Sequence, residues 1–154
     1  MRLYLVQHAE AKSEAEDPRR DLTDKGRAEV AKVANFLEPL NLNLSRVLHS
    51  GKTRAQSTAD ILAASLKPAG GVAQTDGLAP LDDPQVWADR VLGLAEDTML
   101  VGHLPHLARL ASLLLCGDPE KGAVNFKMGG VVCLSRSPEG RWGLEWMVVP
   151  EALP

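Results

Sequence analysis

The chain has 154 residues, 45% of them hydrophobic, which is enough for one globular domain over 1–154 to bury a core without disulfides or a structural metal. Its 17 basic and 20 acidic residues leave a net charge of −3, so there is no broad positive field for nucleic acid or an anionic membrane. The two cysteines, Cys116 and Cys133, are too few and too far apart for a zinc cluster or a disulfide scaffold, and a reducing compartment is the simpler reading.

The N-terminal run Leu3-Tyr4-Leu5-Val6 is apolar and β-prone, and predicts a buried strand over Arg2–Val6 that ends in Gln7-His8-Ala9-Glu10. This run is far shorter than the apolar core of a signal peptide, and Leu113-Leu114-Leu115 is too short to span a bilayer, so a cytoplasmic location is expected. Residues 11–21 are charged and contain Pro18, as a loop would. Thr23 or Asp24 then caps a helix in which Val30, Val33, Ala34 and Leu37 share one face, and which Pro39 and Asn41 end.

Ser45–His49 is a second strand, delivering Ser50-Gly51 to a helix over about Lys52–Leu66. A turn over Pro68–Gly71 leads to a short strand at Val72–Thr75. Asp82-Asp83-Pro84 reads as a helix cap, opening a helix with Trp87, Val91, Leu94 and Ala95 on one face. Thr98–Val101 is a third strong strand; it ends in Gly102-His103-Leu104-Pro105 and feeds a helix carrying Leu107, Leu110, Ala111 and Leu114. Val131–Ser135 and Gly143–Val149, split by Pro138-Glu139-Gly140, form a terminal hairpin.

Alternating strands and amphipathic helices predict a layered α/β domain, in which ligands bind beyond the carboxyl ends of the strands. Three such ends carry His8, the segment Ser50 to Arg54, and His103. A neutral imidazole with an ordinary pKa of roughly 6.5 is a competent nucleophile near pH 7, provided its other ring nitrogen donates to a fixed acceptor such as a backbone carbonyl. Phosphoryl transfer needs cations around the equatorial oxygens, and the planar fork of Arg54, in the first turn of a helix, suits that task.

These segments resemble a known family. Leu3-Tyr4-Leu5-Val6-Gln7-His8-Ala9-Glu10 is similar to the Arg-His-Gly signature of histidine phosphatases, and Leu22-Thr23-Asp24-Lys25-Gly26 to their Leu-Thr-x-x-Gly helix start. Ser50 to Ala59 resembles Ser-x-x-x-Arg-Ala-x-x-Thr-Ala, and Gly102-His103 the second histidine. The order matches along essentially the whole chain, and the short length with Gly102-His103-Leu104-Pro105 is most similar to SixA-type protein phosphohistidine phosphatases. The resemblance implies a phosphoglycerate mutase-like, three-layer α/β/α fold with a mostly parallel sheet, a phosphohistidine intermediate, and no metal or other cofactor. It makes His8 the nucleophile, Arg54 and His103 phosphate ligands, and Arg20, or Arg19 in its stead, a further ligand. Gln7 and Ser50 complete the expected substrate-binding set.

One departure bears on activity: Gln7 stands where the family has arginine, and Ala9 where it has glycine. Losing one preorganised donor can cost about 10²–10³ in rate. Lys12, Arg19, Arg20 and Lys52 are the cations able to restore the charge. The sequence shows no obvious general acid, although Glu10, Asp82 and Asp83 could approach the site. A phosphohistidine substrate needs such help least, because its N–P bond is already activated, and the short chain leaves an open, protein-facing site. A small-molecule phosphomonoesterase and a weakly catalytic phosphate-recognition module are the alternatives.

Three other features are set aside. His106 is a surface or packing residue, and His49 a strand residue without a chemical role. Gly51-Lys52-Thr53 ends like a Walker A loop, but position 46, where its first glycine belongs, is Arg46. A metal set drawn from His8, Glu10, His103 and His106 lacks thiolates and follows no zinc spacing.

Overall fold

The computed structural model describes residues 1–154 and contains one six-stranded sheet. In chain order the elements are β1 (Arg2–Gln7), α1 (Asp24–Leu37), β2 (Arg46–His49), α2 (Thr53–Leu66), β3 (Val72–Gln74), α3 (Pro84–Val91), β4 (Thr98–Gly102), α4 (His106–Cys116), β5 (Val131–Arg136) and β6 (Trp142–Val148). The spatial order is β3-β2-β4-β1-β5-β6. β3, β2, β4 and β1 pair in parallel, while β5 and β6 extend the sheet antiparallel. No helix is long and apolar enough to cross a membrane.

The layering follows from strand periodicity, because successive side chains point to opposite faces. Tyr4, Val6, Val47, Met99, Val101, Val131 and Cys133 pack against Val30, Val33, Ala34 and Leu37 of α1 and Ala55, Ala59, Leu62 and Leu66 of α2. Leu3, Leu5, Leu48, Leu100, Val132 and Leu134 pack on the other face, against Trp87 and Val91 of α3 and Leu107, Leu110 and Ala111 of α4. The result is the three-layer α/β/α arrangement expected from the sequence.

Register brings the strand ends together. Gln7 pairs with Gly102 and His49 with Val101, so the residues that follow β1, β2 and β4 emerge at one edge. The chain leaves β1 for α1 on one face and β4 for α4 on the other, which opens a crevice between these neighbours.

One local expectation needs correction, and one alternative is resolved. α3 stops at Val91, so Leu94 and Ala95 lie outside it; the Val91 and Leu94 carbonyls instead accept the Arg136 guanidinium of β5 at 2.6 and 2.7 Å. This side-chain capture satisfies the carbonyls a continuing helix would have used. Of the two roles open to His106, surface or packing, the structure shows packing, because it is fully buried in the first turn of α4.

Candidate functional site

His8 follows directly from β1, and its backbone N–H donates to the Gly102 carbonyl at 3.0 Å, tying it to the end of β4. Its Nδ1 lies 2.8 Å from the Ala9 carbonyl. A carbonyl only accepts, so Nδ1 carries the proton and the neutral ring keeps its lone pair on Nε2. Burial is the main influence holding the imidazole below its ordinary pKa; the Ala9 carbonyl opposes this, and the charges of Arg54 and Arg20 reinforce it.

Ala9 is itself buried, and its N–H donates at 3.0 Å to Thr58 Oγ1, whose hydroxyl donates at 2.8 Å to the Arg54 carbonyl. One side chain of α2 thus holds the loop that orients His8 and the backbone that carries Arg54. The alanine methyl sits 3.7 Å from where a side chain on Gly129 would begin, so the glycine-to-alanine departure is accommodated.

His103 is 1% exposed, and its ring centroid lies 5.1 Å from that of His8. Its Nε2 is hydrogen-bonded to Ser50 Oγ at 2.6 Å, while Nδ1 is buried without a partner. Its pKa is pushed down to about 3, first by burial and then by the charges of His8, Arg54, Lys52 and His106. A dianion in the crevice would oppose those charges and favour the protonated ring.

Ser50 is aimed by the turn that follows it. Gly51 has φ +92°, a left-handed conformation that calls for glycine. His49 secures this turn: its Nδ1 accepts the Gly51 N–H at 3.0 Å. The sequence alone offered no role for it, because only the folded turn brings the two groups together.

Arg54 lies in the first turn of α2, with Nε buried and unpartnered, and burial plus the nearby Arg20 charge hold it below its ordinary pKa. A guanidinium N–H can only donate, so this orphan is satisfied by an anionic acceptor at least cost. Arg20 is held at φ 50°, with Nε donating to the Lys12 carbonyl at 3.1 Å, and its charge is felt at both His8 and Arg54. Arg19 is exposed, and only its backbone N–H is engaged, on Asp17 at 3.0 Å. Of the two arginines considered, Arg20 is the one at the crevice.

Gln7 pairs in the β1–β4 register, its carbonyl accepting the Gly129 N–H at 3.0 Å and its side-chain Oε1 buried without a partner. Glu10 is turned away from the crevice: its Oε2 accepts the Thr23 hydroxyl at 2.7 Å, and Thr23 in turn caps α1 by accepting the Gly26 N–H at 3.0 Å. Asp83 is the cap of α3, accepting the Gln85 N–H at 2.9 Å, but Asp82 is not; its carboxylate accepts the Ala79 N–H at 2.9 Å. Asp82 also lines a cleft of about 510 Å³ that shares Ser50 with the histidine pair. No group of three or more His, Cys, Asp or Glu side chains lies close enough together to hold a metal ion, and the set of His8, Glu10, His103 and His106 does not gather.

Residues 3–82 match the model of the histidine phosphatase superfamily (branch 1). An uncharacterized protein of Picosynechococcus sp. is 36% identical over 142 residues, covering 87% of this chain and 84% of its own length. The protein histidine phosphatase SixA, solved with tungstate, superposes with a TM-score of 0.85 at 23% identity over 99% of both chains. The α-ribazole phosphatase of Shigella flexneri gives 0.79 at 15% identity over 97% of both chains, and a phosphoserine phosphatase of Entamoeba histolytica 0.73 at 15% over 99% of both. The fold is therefore the phosphoglycerate mutase-like one that the sequence motifs imply. With its family match running from β1 into the loop before α3, the chain belongs to the histidine phosphatase superfamily, as a phosphatase with a SixA-like fold.

Proposed function

We propose that this phosphatase removes the phosphoryl group from protein phosphohistidine, with His8 as the nucleophile. The observation that carries the proposal is the His8 Nδ1 contact with the Ala9 carbonyl, which leaves the Nε2 lone pair free on a ring that feels the charges of Arg54 and Arg20. In the first step Nε2 forms a bond to phosphorus as the substrate P–N bond breaks, its electron pair leaving on the substrate imidazole. Arg54, Arg20 and His103 donate to the equatorial oxygens, and Ser50 positions His103. Water then attacks phosphorus. The His8 N–P bond breaks with its pair returning to Nε2, and the water proton passes to phosphate or solvent.

Because Nδ1 keeps its proton throughout, His8 departs as a neutral imidazole and needs no separate acid. A substrate imidazole protonated on its other nitrogen leaves the same way. This supports a phosphoramidate substrate over an alkyl ester, since an alkoxide needs a proton donor, while Glu10 is committed to Thr23, Asp83 to the cap of α3, and Asp82 accepts the Ala79 N–H in the neighbouring cleft. SixA, whose fold this chain matches over nearly its full length, is by name a protein histidine phosphatase. The α-ribazole and phosphoserine phosphatases of the same fold make a small phosphate ester the second reading.

The test is rapid-quench trapping of acid-labile, base-stable phosphate on wild type and His8→Ala, with a phosphohistidine protein and an O-linked phosphomonoester as donors. Label and phosphate release are expected on wild type alone, and faster from the N-linked donor. Turnover surviving in His8→Ala refutes the nucleophile, and preference for the ester refutes the substrate. Binding without label or release favours a recognition module in which Gln7 has cost the chain its catalysis.

A further inference from the structure

Gln7 replaces a permanent cation with a neutral amide, and the carbonyl end of that amide is buried without a partner. Four cations, Lys12, Arg19, Arg20 and Lys52, are candidates to restore the charge, and their surroundings differ. The Lys12 charge acts on Glu16, Asp17 and Asp21, carboxylates of its own loop. Arg19 is exposed, and its charge likewise falls on Asp17. Arg20 is at the crevice, but it stands in addition to the arginine that Gln7 replaces. Lys52 remains.

Its position is specific. The left-handed Gly51 turns the chain between Ser50 and Lys52, and the Lys52 N–H closes that turn on Ser50 Oγ at 3.3 Å. That same oxygen holds His103. Lys52 then caps α2 through its backbone alone, with no side-chain hydrogen bond to the helix, two residues before Arg54. Its side chain is exposed, and the three salt bridges of the protein, Arg27–Asp21, Arg90–Asp76 and Arg109–Glu120, do not involve it. Its charge is felt at His103 while no carboxylate of the protein engages it.

Building on the phosphate-site reading above, we propose that Lys52 is a catalytic phosphate ligand, supplying from the N-terminus of α2 the positive charge that Gln7 no longer supplies from the end of β1. An ammonium on a four-carbon stem suits an exposed position, because it can swing onto an oxyanion as a point charge, whereas a guanidinium in the β1 position acts as a fixed, preorganised fork.

The charge-relocation reading makes Lys52 and position 7 interdependent, which a general surface cation would not be. The experiment measures orthovanadate affinity by isothermal titration calorimetry for wild type, Lys52→Gln, Lys52→Arg, Gln7→Arg and the double variant Gln7→Arg/Lys52→Gln. Lys52→Gln is expected to weaken binding about tenfold or more, as for a lost hydrogen bond to a charged group, and Lys52→Arg to keep most of it. In the Gln7→Arg background the same Lys52→Gln change is expected to cost less than about threefold. A loss under about threefold in the wild-type background overturns the proposal, as does an equal loss in both backgrounds. Lys52 is exposed, so its variants fold, and the wild-type-background comparison stands even if Gln7→Arg does not. A wild type that fails to bind orthovanadate overturns the phosphate site itself, a failure separate from that of Lys52 alone.

Discussion

His8 is governed by influences that act in opposite directions. The Ala9 carbonyl favours a protonated ring, while burial and the charges of Arg54 and Arg20 disfavour it more. The folded pKa lies below 6.5, and attack requires the neutral ring, so kcat/KM should be flat through neutrality and fall only on the acid side of pH 6.5. A pH profile of kcat/KM checks this, and an acid limb centred above 6.5 contradicts it. His49 shows how a residue with no chemical role in the sequence acquires a structural one: its unprotonated Nδ1 accepts from Gly51, and the turn so formed aims Ser50 at His103.

Among the elements, α1 depends most sharply on a single small residue. Its N-terminus packs on the loop after β1 so closely that a Cβ on Gly26 would meet the Glu10 carbonyl oxygen at 2.2 Å. In an exposed helix Gly→Ala stabilises, by close to 1 kcal/mol. Here Gly26→Ala must instead push α1 off the loop that carries His8, and overpacking of this kind costs roughly 1–3 kcal/mol. A lower urea midpoint for Gly26→Ala, with slower phosphate release, is the expected result; an unchanged midpoint would show that the loop yields freely. The Leu-Thr-x-x-Gly pattern is thus a packing requirement as well as a helix start, since Thr23 caps the helix while Gly26 admits the strand-end loop.

Across the whole molecule the four histidines, His8, His49, His103 and His106, are each held below the ordinary value, with burial the largest cause for all four. A group with a depressed folded pKa contributes fully above its unfolded pKa of about 6.5, and that contribution drains away as pH falls, because the unfolded chain binds the extra protons. Thermal midpoints should therefore decline between pH 7 and pH 5, before carboxylate titration dominates. His103, pushed down to about 3, stays neutral in the folded protein across that window and contributes its full share of the slope, so His103→Asn should reduce it. A midpoint constant over that window would contradict the burial argument.

The α/β layering and the family were legible from the residues alone, and the candidate site was drawn from three strand ends. Strands and helices differ in hydrophobic period, and three strand ends carrying His8, Ser50 to Arg54, and His103 have one common edge to share. Thr23 as a cap candidate was legible in the same way, because capping is local, whereas the close approach of Gly26 to the Glu10 carbonyl was not. The remainder depends on partners distant in sequence. Arg136 takes the last carbonyl of α3, that of Val91, Thr23 draws Glu10 away from the crevice, and Thr58 joins the His8 loop to Arg54. The preference for Arg20 over Arg19 belongs here too: adjacent side chains diverge according to backbone conformation, and Arg20 takes a left-handed one that no periodicity encodes.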